Sequence, residues 1–291
     1  MFYELSVPEV DPKKKAAALV TLNPSESRRL LAKAVVALPE VQNAWKNGII
    51  IIARGITNAY VTEELLGETL EPKAAQTIGM VVNGTTNANS GPPASTSHVI
   101  RNGKVVQNAD SNVEILDFGR DDVFIKGANA VDPQGNAGIM TSSVRAGTWG
   151  MFSPIVTPRD SHLIIPVGLE KMVASVFEGV HHSGIYNFKY STGLPAKLVP
   201  AVTGKVVTEI QALALLAGVK AFHVCSGGVG GSEGAVVLAL EGDDSHVQKA
   251  FELVKSIKGE PPVTIPSTFR VSAPADYNYD ALAQLATLGG V

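Results

Sequence analysis

The sequence predicts an α/β fold: a doubly wound, mostly parallel sheet with a second, smaller α+β (ferredoxin-like) domain. Three observations predict it. Four consecutive isoleucines, Ile49 to Ile52, form an unbroken β-branched run of the kind found in strands covered on both faces. Strand-like and helix-like stretches alternate from about residue 20 to 180, as in a parallel sheet with helical crossovers. From residue 194 the texture changes to short segments in the order β-α-β-β-α. The expected division is therefore 1–193 for the α/β domain and 194–263 for the α+β domain. Residues 264–291 form a C-terminal extension docked on the first domain or on a neighbouring subunit, so a homo-oligomer is the expected state.

Each element has a local reason. "NPSESRRLLAKAVVALPE" reads as a helix with Asn23 as N-cap, Pro24 at its first position and Glu26 closing a capping box. Pro39 opens a second helix. After the isoleucine strand, "ITNAYVTEELLG" is a helix capped by Thr57 or Asn58 and ended by Gly67. "TIGMVVNG" is expected as the next buried strand, and "TTNANSGPPASTS" as a surface loop. "HVIRNGKVVQ" is a hairpin turning at Asn102-Gly103. "DDVFIKGANAVD" and "HLIIPVG" supply further buried strands, the latter followed by a helix through "LEKMVASVFEG". In the smaller domain the expected series is the strand "KLVPAV", the helix "KVVTEIQALALLAG", the strands "KAFHVC" and "AVVLALEG", and the helix "DSHVQKAFELVKSIKG".

Composition bounds the function. At 291 residues, 45% hydrophobic and 18% charged, the chain has the make-up of an ordinary α/β protein with a large core. A net charge of −3 argues against nucleic acid, and Lys13-Lys14-Lys15 is a solvated arm rather than a membrane anchor. "KKKAAALV" is too short for a signal peptide, and no run of eighteen apolar residues would span a membrane. The single cysteine, Cys225, fits a reducing compartment. The expected location is cytoplasmic.

Three motifs fail as cofactor sites. Residues 227–234 hold five glycines in eight positions, but the strand-like "AVVLALEG" follows, not the helix a dinucleotide fingerprint requires. They are expected to join two strands. "TGKVV" lacks the first glycine and the Ser/Thr of a Walker A loop and is taken as a helix start. The adjacent His181 and His182 diverge on any regular backbone, and no metal-ligand spacing occurs. Neither a cofactor nor a metal is expected.

The turns after the parallel strands are the better candidates, because ligands of open α/β sheets bind outside the carboxyl ends of strands. Arg54, Gly55, Thr57 and Asn58 follow the isoleucine strand. Asn83, Gly84, Thr85 and Thr86 follow the second, and Lys126, Asn129 and Asp132 the third. Two cations among amides and hydroxyls make an anion site; the same residues also cap helices for purely structural reasons.

"DDVFIKGANAVDPQGN" resembles the D-G-A-D-E-[IV]-D stretch of ribose-phosphate isomerase type A, a member of the NagB/RpiA/CoA-transferase-like superfamily. "ARGITNAYVTEELL" is similar to that family's G-[ST]-T turn and helix. "PRDSHLIIPVGLEKMV" is similar to lactate-utilisation (LUD) domains. Lys126 and Asn129 stand where the isomerase has acidic side chains, and Ala130 where it has glutamate, so its proton-transfer chemistry is not expected. The resemblance implies the scaffold and a pocket for a small anionic metabolite of the phosphosugar or acyl-CoA/carboxylate class. There Lys126 would be the anion or carbonyl partner and Asp132 a base, with Thr57, Asn58, Thr141, Ser142 and Arg145 binding the ligand. The alternative is a non-catalytic sensor or assembly protein on the same scaffold.

Overall fold

A computed structural model describes residues 1–89 and 97–265. In chain order the strands and helices are β1 (Lys15–Leu22), α1 (Pro24–Ala37), α2 (Pro39–Asn47), β2 (Ile49–Ile52), α3 (Ile56–Leu66), β3 (Gly79–Val82), β4 (Thr85–Ala88), β5 (His98–Arg101), β6 (Lys104–Val105), α4 (Ser111–Glu114) and β7 (Val123–Ile125). They continue with β8 (Ala130–Val131), β9 (Ala137–Thr141), α5 (Gly147–Val156), β10 (His162–Pro166), α6 (Val176–His181), β11 (Lys197–Pro200), β12 (Lys205–Val207), α7 (Glu209–Ala217), β13 (Lys220–Ser226), β14 (Val236–Asp243) and α8 (Asp244–Ser256). The fold is α/β, with a mixed sheet that contains parallel strands.

The central sheet runs β12-β10-β7-β2-β5-β6. Its first four strands are parallel, and the β5–β6 hairpin closes the other side antiparallel. Alternate residues feed two cores. Ile50, Ile52, Val123, Ile125 and Ile164 pack with α1, α2, α3 and α7, whereas Ile51, Phe124, Leu163 and Ile165 pack with α5. Two faces buried at once explain why these strands are apolar at every position.

Several expectations are corrected. Residues 79–88 form a separate hairpin, not a parallel strand, because Asn83 and Gly84 take the positive φ values (51° and 72°) that a two-residue turn demands. The fourth parallel strand is instead β12. "KVV" does not start the helix: Thr208 is the N-cap, its Oγ accepting from the N–H of Ile210, and Val206 and Val207 are left for the ladder with β10. The helix expected through residues 169–179 breaks into a 3₁₀ turn at Leu169–Lys171 and α6, which starts afresh where Ser175 caps Glu178 N–H.

Nor do the sheets divide at residue 194. β11 pairs with β9 in the small sheet β11-β9-β8, and β12 belongs to the central sheet. The antiparallel sheet of the C-terminal part, β1-β14-β13, borrows β1 from the N-terminal part, with Lys15 opposite Asp243 and Leu22 opposite Val236. The glycine-rich stretch joins β13 to β14 as expected, with positive φ at Gly227, Gly228, Gly230, Gly231 and Gly234. The expected extension beyond 263 lies almost wholly outside the described residues.

A buried ion network joins α1, α3 and the segment after α8. Arg29 reaches Glu63 (2.6 Å), Glu64 (3.0 Å) and Glu260 (2.9 Å), and its guanidinium lies 4.8 Å over the Tyr60 ring. Lys73 meets Glu63 at 3.1 Å from the other side. Burial pulls the Glu63 pKa up, but hydrogen bonds from Leu70 N–H, Arg29 and Lys73 outweigh it and hold the carboxyl below its ordinary value. A depressed folded pKa gives stability that is present above pH 4.5 and is lost as pH falls through the folded value. Arg29→Met should therefore cost about 2 kcal/mol in urea unfolding at neutral pH, because it removes the cation shared by Glu63, Glu64 and Glu260 and leaves Glu63 to Lys73 and Leu70 N–H. The loss should shrink on acidification, and a deficit that does not change with pH would contradict this account.

Candidate functional site

The four parallel strands end on one side of the sheet, and a charged side chain follows each, directly or within the next turn. Arg54 follows β2, Lys126 follows β7, Lys171 lies in the turn after β10, and Glu209 follows β12. α3 begins directly after Gly55, so its N-terminal amides face the same edge.

Asn58 ties this edge together. Its Nδ2 donates to the carbonyls of Ala53 (2.8 Å) and Ile125 (3.2 Å), bridging the ends of β2 and β7. Its Oδ1 is buried without a hydrogen-bond partner. Beside it a recess of about 10 Å³, enough for one water, is lined by Arg54, Asn58, Thr62, Gln76 and His98. Burial lowers the His98 pKa, with Glu68 opposing, so its imidazole favours the neutral form.

The cations at the edge are poorly compensated. Lys126 is half-buried and makes no side-chain hydrogen bond or ion pair among the described residues. Burial, and secondarily the charge of Lys171, pushes its pKa down to about 8. Burial also lowers Arg54, which likewise has no ion pair among the described residues. Lys171 donates to the carbonyl of Ala128 at 3.1 Å; burial and then Arg28 depress its pKa, against Glu170 and Glu209. Arg28 is itself paired with Glu170 at 3.0 Å. Glu209 is fully buried: Oε2 accepts from Leu169 N–H at 2.9 Å, while Oε1 has no hydrogen-bond partner. Burial foremost raises its pKa, and the neighbouring Glu170 adds to the rise. The carboxyl that lies beside the cations therefore resists ionising, and the edge is electropositive.

The other sequence candidates are placed as follows. Thr57 and Asn58 are buried within the first turn of α3 and do not serve as its N-cap, which is Gly55. Gly84 and Thr85 sit in the β3–β4 turn, and Thr86 is bonded to the backbone of Thr192 and Leu194, so none follows a parallel strand. Asn129 is exposed and pins the β8–β9 hairpin by accepting from Met140 N–H. Thr141 accepts from Ser143 N–H, and Arg145 is exposed. No hydrogen bond among the described residues links Thr141, Ser142 or Arg145 to Arg54, Lys126 or Lys171. His182 forms an exposed contact with Glu178 at 3.3 Å, away from the edge residues.

Asp132 is a poor base. It accepts four hydrogen bonds, from Gln134 N, Asn136 N, Asn136 Nδ2 and Val176 N, which close the β8–β9 turn and anchor α6. Burial alone would raise its pKa, but these bonds more than reverse that. A carboxylate so occupied has little tendency to take up a proton.

Lys171, Glu209 and Arg28 were missed. The rule that selected Arg54 and Lys126, a charge just past a parallel strand, also selects Lys171 in "IIPVGLEK". Glu209 was hidden by reading "KVV" as helix. In comparison with known proteins, no family model, no curated protein and no solved structure matches the chain.

Glu209 yields a signed prediction. A carboxyl whose folded pKa is raised loses stability as pH climbs above its unfolded value of 4.5. Glu209→Gln keeps an acceptor for Leu169 N–H and removes that penalty. Its melting temperature at pH 7 should exceed that of the parent protein, and the difference should vanish below pH 4.5. A lower melting temperature at pH 7 would show that the charged carboxylate is instead stabilised where it lies.

Proposed function

We propose that this protein binds a small anionic metabolite at the carboxyl ends of its parallel strands, in the phosphosugar or acyl-CoA/carboxylate class. One observation carries the reading: Arg54, Lys126 and Lys171 end up at one sheet edge with lowered pKa values, and none of them has a carboxylate in hydrogen-bonding contact among the described residues. A desolvated cation without a counter-charge is costly, and a ligand anion relieves that cost. Strand ends beside a helix N-terminus are the usual place for such a ligand in an open α/β sheet.

The sequence likeness to the NagB/RpiA/CoA-transferase-like superfamily agrees with a ligand at this edge, and we take that scaffold as the working assignment. The isomerase reaction does not carry over, because its acidic positions are filled by Lys126, Asn129 and Ala130. A second reading, a sensor that binds without turnover, is favoured by the commitment of Asp132 to its turn. No helix among the described residues is long and apolar enough to cross a membrane, and we place the protein in the cytoplasm.

Thermal unfolding with inorganic phosphate, ribose 5-phosphate and acetyl-CoA tests the binding. A ligand at a hundred times its dissociation constant should stabilise by about 2.7 kcal/mol. Lys126→Met should abolish that gain while leaving the unliganded protein at least as stable, since it removes a desolvated charge. Ligand stabilisation that survives Lys126→Met in full would place the anion elsewhere.

A further inference from the structure

The β1-β14-β13 sheet is covered on one face only. Val20, Leu22, Ala221, Val236, Leu238 and Leu240 face α7 and α8 in the main core. The register lines up their neighbours on the opposite face. Leu19, Ala239 and Phe222 form one row across the three strands, and Thr21, Val237 and Cys225 form the next. A bulge between His223 and Cys225 adds Val224. On this face Leu19 is 65% exposed, Phe222 50% and Val224 57%. Charges are gathered at one end, where Lys15 lies opposite Asp243 and Lys220 opposite Glu241.

An antiparallel sheet with one face in water alternates apolar and polar residues. "AAALV" in β1 and "VVLAL" in β14 do not alternate; they read like the central strands, which are covered twice. Among the described residues this second face stays open.

The chain holds a segment suited to it. The path after α8 crosses the end of β1: Lys258 Nζ donates to Thr21 O at 3.1 Å, and Lys258 and Gly259 both bond Glu26 at the start of α1. Residues 266–291 follow, outside the described residues. Arg270, Asp276 and Asp280 are their only charged side chains, whereas a solvated tail is rich in charge. Asp280, then Leu282, Leu285 and Leu288, then Gly289 is the sequence pattern of a short capped helix with one apolar stripe. We propose that residues 281–288 dock on the outer face of the β1-β14-β13 sheet, setting Leu282, Leu285 and Leu288 against Leu19, Phe222 and Val224.

Reach and concentration favour the chain's own segment. Asp280 stands fifteen residues beyond Ile265, enough to span about 50 Å, whereas β14 is about 27 Å long. A tether of this kind holds the segment at a local concentration on the order of millimolar, far above that of a second copy in micromolar protein. The docking is independent of the anion site.

Cys225 reports on it directly, being exposed, on this face and the single cysteine of the chain. The full chain is labelled with a maleimide under native conditions and the rate at Cys225 is followed. Leu282→Asp combined with Leu285→Asp should speed the labelling about tenfold, because the segment no longer shields the thiol. Phe222→Lys, on the other side of the contact, should raise amide hydrogen exchange at 281–288 and leave exchange in α7 and α8 unchanged. Labelling of the unaltered chain as fast as in urea would show the face open and overturn the proposal. Protection that survives the leucine substitutions and fades on dilution would assign the face to a second copy, which also overturns it.

Discussion

Where a parallel strand ends, its ladder bonds run out, and here one side chain takes over: Ile125 O still accepts from Ala53 N–H at 3.0 Å, but Ala53 O has no ladder partner among the described residues. Asn58 spans from β2 to β7, donating to Ala53 O and Ile125 O. It is buried, so leaving Ala53 O unanswered would carry a desolvation cost of roughly 1–3 kcal/mol. The bridge fixes the spacing of the two turns that carry Arg54 and Lys126. It also explains why α3 starts abruptly after Gly55: the helix must deliver Asn58 to the sheet within one turn. The remaining features of the edge are arranged about this contact.

Two electrostatic regimes coexist within one small fold. Around Tyr60 every cation has a partner: Arg29 and Lys73 are sandwiched among Glu63, Glu64, Glu71 and Glu260. At the strand ends the balance is withheld, with Lys126 and Arg54 lacking any side-chain partner among the described residues and Glu209 reluctant to ionise. The contrast matters, because a fold that gathers four acids around Arg29 and Lys73 was not short of carboxylates. Local instability concentrated at one edge, beside a well-satisfied interior, is the usual signature of a site kept for binding or chemistry.

How much of this could be read from sequence depended on whether a local signal was unique. Ile49–Ile52, Val123–Ile125 and the Asn102-Gly103 hairpin have one reading each, and they stand as expected. "MVVNGTT" carried two, a buried strand end or a hairpin, and the same Asn-Gly logic that placed the β5–β6 turn decides for the hairpin. "KVVTEIQ" misled because a two-residue valine signal precedes a strong cap, so the strand was absorbed into the helix. Pairing partners were less legible still. Nothing local in "KAAALVTL" says that it completes a sheet with residues 220–243, because register across such a separation is set by the assembled core. For the site, the strand-end rule found Arg54 and Lys126 but not Glu209, whose burial is a tertiary property.

The borrowed strand has a consequence for biogenesis. β1 is complete at Leu22, yet its partner β14 does not begin until Val236, so synthesis separates the two strands widely. Until then its ladder groups and the apolar side chains of Val20 and Leu22 have no native cover. Such delayed long-range closure is slow and leaves a strand edge open to other chains. The flanking sequence bears on that hazard: Lys13, Lys14 and Lys15 put three like charges at the mouth of the strand, where nascent copies would meet. In the finished fold the run is a surface feature, with Lys15 bridging to Glu241 at 3.0 Å.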